Sequence, residues 1–254
     1  MSEALTIVDG EAAGAWIAPR LEGGFGGKVK QQVPDGYDAY VRILHPAGDG
    51  QGEPISWAAV AEKLGRTAHR EMQWHRLVGI SDPLDRWGSE WKGTEPSVGE
   101  MDPVVLEALC GILATHTTDS EDCFFGLNTI RGGVEEAYPG AVQLHRPGDF
   151  VVFSGPVSAA GGVGYDSGES WVTDIYSDGR REQRLLPSRW LSCSPNLIWP
   201  ADHSWYVVSN VDFDSTLVGA DRELIDAILA APTLESWEVR RNDSLEAWAD
   251  KINR

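Results

Sequence analysis

Polar and apolar residues alternate most plainly over residues 37–44, where Ala39, Val41 and Ile43 are interleaved with Asp38, Tyr40 and Arg42. A period of two predicts a strand with one buried face. His45-Pro46 ends it, because proline cannot donate to a ladder. The period then changes. Trp57, Val60, Ala61 and Leu64 fall on one helical stripe, with Ser56 as cap and Gly65 as stop. Asp102-Pro103 opens a second helix. Its band of Val105, Leu106, Leu109, Cys110, Ile112 and Leu113 is wide enough for burial on more than one side. Strands are predicted at residues 123–127, 141–144 and 149–153, the last two joined by a turn at His145-Arg146-Pro147-Gly148. Residues 160–168 are glycine-rich and read as an exposed flexible loop. A strong strand is expected over 204–213 and a short one over 216–219. Asp221 then caps a helix carrying Leu224, Ile225, Ile228 and Leu229, which Pro232 ends. Ser244 opens a short final helix with Leu245, Trp248 and Ile252.

Strands and helices do not alternate regularly, so the pattern predicts an α+β fold. The expected form is a mixed, mainly antiparallel sheet packed against a few helices in a single large domain. A glycine-rich N-terminal segment, residues 1–36, precedes the α+β domain of residues 37–254. The loop near residues 155–170 reads as an insertion or a break.

Charge narrows the partners. Thirty-nine acidic against 21 basic residues leave a net charge of −18. Nucleic acid is held through Lys and Arg with release of counterions, so it is disfavoured. The small clusters Arg180-Arg181 with Arg184 and Arg189, and Arg240-Arg241, read as solvated surface. A basic protein partner fits the acidic balance. The three cysteines, Cys110, Cys123 and Cys193, form no CxxC pair and imply no disulfide framework. No basic start followed by an apolar run marks a signal peptide, and no stretch of about 18 apolar residues suits a membrane. The expected compartment is the cytoplasm.

Several segments invite a chemical reading. Asp212-Phe213-Asp214-Ser215-Thr216-Leu217-Val218 follows an apolar strand and resembles the first motif of haloacid-dehalogenase-type phosphatases. In that family the first aspartate attacks phosphorus and the second is an acid/base, with magnesium between them. Only 42 residues follow Asp212 (254 − 212), too few for the rest of a Rossmannoid core. A strand ending in a polar turn is the simpler account. His69 and His75 stand six apart, not the four that puts two zinc ligands on one helix face. Residues 23–28 lack the first glycine and the Ser/Thr of a phosphate loop. No metal and no cofactor is therefore assigned. Asp202 and His203 precede a strand, where loops often present functional groups, with His45 as a neighbour. Eleven tryptophans are many for this length. Most suit a core, and Trp199, Trp205 or Trp87 at a rim would line a binding cleft.

Tyr37-Asp38-Ala39-Tyr40-Val41-Arg42-Ile43-Leu44-His45-Pro46 resembles the opening of a family of actinobacterial proteins of unknown function. Residues 194–207, from Ser194-Pro195-Asn196-Leu197 to Trp205-Tyr206-Val207, resemble its later block, and residues 212–229 with 234–238 its ending. The resemblance implies an intracellular bacterial protein and carries no activity. The expectation is thus a non-catalytic binding or interaction protein. The alternatives are a hydrolase, phosphatase-like or metal-assisted, using Asp212, Asp214 or His203, and a small-ligand binder with a Trp-lined cleft.

Overall fold

The computed structural model describes residues 4–23, 26–85, 87–146, 148–176 and 178–253, with Arg146 described by its backbone alone. Gly24 and Phe25 of the glycine run, and Pro147 of the turn, lie outside them. The chain enters through β1 (Thr6–Ile7) and α1 (Gly10–Gly14), where the Asp9 carboxylate accepts from Ala12 N. Next come α2 (Val29–Gln32), β2 (Ala39–Leu44) and the small pair β3 (Ala47–Gly48) and β4 (Pro54–Ile55). Helices α3 (Trp57–Leu64), α4 (Trp74–Leu77) and α5 (Pro103–Leu113) follow. Then come β5 (Cys123–Asn128), α6 (Val134–Ala137), β6 (Leu144–Arg146) and β7 (Gly148–Gly155). A 3-10 turn (Val157–Gly162) leads to β8 (Gly164–Asp166), the hairpin of β9 (Ser170–Ile175) and β10 (Arg181–Leu186), and β11 (Trp190–Ser192). Beyond them lie β12 (Leu197–Pro200), β13 (Tyr206–Val208), β14 (Ser215–Ala220), α7 (Arg222–Ala230) and β15 (Ser236–Val239).

A nine-stranded sheet runs β1-β7-β5-β12-β13-β14-β2-β15, with β6 paired to β7. Every strand pairing among the described residues is antiparallel, so the fold is α+β with a mainly antiparallel sheet. Ala39, Val41, Phe125, Phe153, Ile198, Val207 and Val218 meet α5 and α7 on one face. Tyr40, Val152, Leu197, Trp199, Tyr206 and Leu217 meet Ile17, Val29 and Val33 of the N-terminal segment on the other. Leu44 joins a third cluster with Trp57, Val60, Met72 and Leu77 of the α3–α4 layer. The glycine-rich segment thus supplies an edge strand and part of the second core.

Local signals explain the helices. Ser56 accepts from Ala59 N, and Gly65 adopts φ 65° in the left-handed region, where a side chain would be strained. The carboxylate of Glu235, distant in sequence, also accepts from Trp57 N and Ala58 N, tying α3 to β15. Asp102 and Asp221 cap α5 and α7 on Val104 N and Leu224 N.

Tertiary contacts overrule the pattern elsewhere. All six residues of β2 are buried, Arg42 included, because layers cover both faces of this interior strand. Residues 160–168 are only in part an exposed loop: Ala160, Val163 and Tyr165 sit in the core and Gly164–Asp166 forms β8, while Gly161, Asp166 and Gly168 are exposed. The strand expected over 204–213 stops at Val208, because Asn210 bonds Asp212 N and turns the chain. The strand expected over 141–144 forms at Leu144–Arg146. Ser244 caps no helix but bridges Lys28, and Asp250 fastens the following segment to His69 and Gln73 N. No helix among the described residues is long and apolar enough to cross a membrane.

Candidate functional site

The sequence candidates do not converge on one place. Trp199 and Trp205 have no solvent-exposed surface and lie in the cores on opposite faces of the sheet. Neither lines a cleft. Trp199 stacks on Phe124 at 5.5 Å. Trp87 stands in solvent, 87% exposed.

Asp202 and His203 form a turn before β13. Oδ2 of Asp202 accepts from Thr117 Oγ1, Thr118 N and Thr118 Oγ1, and Oδ1 accepts from Ser204 N. Burial pushes this carboxyl up, and the bonds from Ser204 and Thr118 more than reverse it, holding it well below the usual carboxylate range. The carboxylate is fully engaged in pinning two loops together. His203 has φ 56°, stacks on Trp16 at 4.1 Å, and accepts the Tyr37 hydroxyl on its carbonyl. These contacts describe a clamp, not a nucleophile and base.

His45 is completely buried at the end of β2. Nδ1 lies 2.7 Å from the Ser97 carbonyl, which only accepts, so Nδ1 carries the proton. In the neutral ring Nε2 accepts from Thr216 Oγ1 at 2.9 Å, and the Thr216 hydroxyl is hydrogen-bonded in turn to Ser209 Oγ. Burial lowers the His45 pKa, outweighing the Ser97 bond that would raise it. A folded-state pKa below the unfolded value of 6.5 means that the unfolded chain binds more protons as pH falls. Stability is then complete above pH 6.5 and declines below it, toward the folded-state value. Differential scanning calorimetry from pH 7.5 to 5.5 should show a falling Tm, with a shallower slope in His45→Asn. Equal slopes for both proteins would remove His45 from this account.

Asp212 and Asp214 sit in the turn between β13 and β14, two antiparallel strands. This is not the parallel-sheet setting of the phosphatase motif. Asp214 is committed to the buried Arg42, with Nη2 3.3 Å from Oδ1. Arg42 is further held by Ser215 Oγ at 2.9 Å, by the Met72 and Arg70 carbonyls, and over the Trp57 ring. The turn does border a pocket of about 660 Å³ that also receives His75, Asp85 and Glu95. The His75 segment and the aspartate turn, far apart in sequence, thus meet. Burial, then the charge of Arg76, lowers the His75 pKa. Among the described residues no group of three or more His, Cys, Asp or Glu is placed to hold a metal ion.

A further feature went unread in the sequence. Hairpin β9–β10 pairs with no other described strand. Its register puts Trp171, Thr173 and Ile175 on one face with Leu185, Gln183 and Arg181. That face is turned to solvent: Trp171 is 67%, Ile175 68% and Leu185 41% exposed. The other face carries Val172, Leu186 and the Arg184–Asp174 ion pair, and Val172 and Leu186 are partly buried. Asp178-Gly179 at the tip, after the β-rich run Trp171-Val172-Thr173, is a hairpin signal. Comparison with family models, curated proteins and solved structures gives no match.

Proposed function

We propose that the protein is a non-catalytic interaction protein that docks a protein partner of net positive charge on the outer face of hairpin β9–β10. One observation carries the reading: a two-stranded arm that pairs with no other described strand leaves Trp171, Ile175 and Leu185 exposed together on one face. Two-stranded hairpins are marginal in water, and exposed apolar patches mark contact surfaces. Tryptophan is the residue most enriched at interface hot spots, which makes Trp171 the anchor. No carboxylate lies among the six residues of that face, so covering it buries no acid. The net charge of −18 steers a basic partner toward the molecule. The hydrolase alternative is weaker, because Asp214 is spent on Arg42 and Asp212 stands exposed on its turn.

Trp171→Ser with Ile175→Ser should abolish the complex while leaving the thermal melt unchanged, since neither side chain supports the core. Native mass spectrometry of the tagged protein with a captured basic partner reads both states. Retention of that partner by the double variant would overturn the proposal. So would a doubled mass, which would put a second copy on the arm.

A further inference from the structure

The recess beside the aspartate turn is bordered by two ring nitrogens that no described residue engages. Its volume of about 660 Å³ falls within the range of small-ligand clefts, about 300–1,000 Å³. Trp74 and His75 open α4 and border it. Trp74 is 6% exposed and packs on Trp57 at 5.3 Å, and its Nε1 has no hydrogen-bond partner. Nε2 of His75 is buried and equally without one.

Other buried nitrogens share this deficit among the described residues, on Trp16, Arg66, Arg76, Arg131, Trp199 and Trp205. None of those side chains lines this recess, nor the recesses of about 590, 700 and 480 Å³ elsewhere on the molecule. At α4 alone the missing partners coincide with room for a ligand. A buried donor without an acceptor is costly, and a bound molecule that supplies the acceptor removes the cost.

The rest of the lining decides the chemistry of that molecule. Asp85, Glu95 and Asp212 are exposed at the border, and Asp214 is held by Arg42. No Lys or Arg lines the recess. An anion is therefore repelled, and the acceptor for the indole N–H has to be an uncharged oxygen. A carbonyl accepts from the indole but offers the carboxylates nothing. A hydroxyl accepts from the indole, serves His75 in either tautomer, and donates to a carboxylate. Ile80, Pro83, Phe213 and Leu245 add apolar surface for carbon-bound hydrogens.

We propose that this recess binds an uncharged polyhydroxylated molecule, a sugar or cyclitol of one or two rings. One hydroxyl accepts from Trp74 Nε1, and its neighbour bonds His75 Nε2. Outer hydroxyls donate to Asp85, Glu95 and Asp212, and the C–H face lies on Phe213 and Leu245. Both nitrogens are shielded from bulk water. Pro83, Asp85, Glu95, Pro96 and Val98 lie on chain outside any helix or strand, so this side of the recess parts to admit the ligand.

The test is calorimetric titration of the full chain with D-glucose, D-galactose, D-ribose, maltose and myo-inositol, and with putrescine and inorganic phosphate as charged probes. At least one polyol should bind with one-to-one stoichiometry, more tightly than either charged probe. Trp74→Phe keeps a ring against Trp57 and, because Nε1 has no protein partner, breaks no hydrogen bond of the fold. It should leave the thermal melt in place and weaken polyol binding about tenfold, the worth of one hydrogen bond. His75→Phe keeps a ring against Trp248 and should weaken binding by a similar factor. The ligand comparison needs no variant to fold. No heat from any polyol at millimolar concentration, tighter binding of putrescine, which carboxylates alone would attract, or unchanged affinity in Trp74→Phe would each overturn the assignment.

Discussion

Arg42→Met is expected to cost about 3–5 kcal/mol of unfolding free energy, the range for breaking a buried ion pair from one side. Arg42 is 1% exposed, yet its guanidinium meets Asp214, Ser215 Oγ and two backbone carbonyls. Methionine fills much of the stem but leaves those acceptors facing apolar surface. Burial pulls the Arg42 pKa below its ordinary value, and the Asp214 charge opposes this, so the pair is interdependent. Asp214→Asn on the Arg42→Met background should therefore cost less than the sum of the single changes. Urea unfolding of the four proteins checks both statements. A loss under about 1 kcal/mol for Arg42→Met would show that water reaches the site and repairs it.

Trp199→Ala should cost a similar amount, about 3–5 kcal/mol, for a different reason. The indole is wholly buried between Phe124 at 5.5 Å and Tyr206 at 6.5 Å, so truncation leaves a cavity where the N-terminal segment packs on the sheet. Its Nε1 has no hydrogen-bond partner among the described residues. Trp199→Phe then loses volume and no bond, and its cost should be less than half that of alanine. Denaturant midpoints of the two variants decide this. Equal losses would mean that the indole N–H is satisfied by a bound water.

What the chain revealed and what it hid follow one physical division. Features set by neighbours in sequence were legible: the caps at Ser56, Asp102 and Asp221, the stop at Gly65, and the apolar runs of β5 and β7. Features set by distant partners were not. Arg42 alternates like an outward residue, and only the α3–α4 layer makes it an inward one. β12 and β15 are four residues each, too short to show a period. The stripe Leu245, Trp248, Ile252 has helical spacing, but the bonds of Asp250 to Asn253, Gln73 and His69 hold the segment otherwise. The site followed the same rule. Asp212 and His75 were visible separately, and nothing in either segment says that they share a pocket. Asp178-Gly179 signals the turn of the arm, but that Trp171, Ile175 and Leu185 stay exposed is a property of the folded chain.

The strand order sets a schedule for synthesis. β2 is an interior strand whose ladder partners are β14 and β15, and Arg42 waits 173 residues for Ser215. During translation a six-residue, mostly apolar strand with both edges open leaves the ribosome long before anything can pair with it. Pairing at such separations is intrinsically slow, because loop closure precedes any reward. Until β14 emerges, β2 stays an unpaired apolar edge, and aggregation competes with folding throughout that interval.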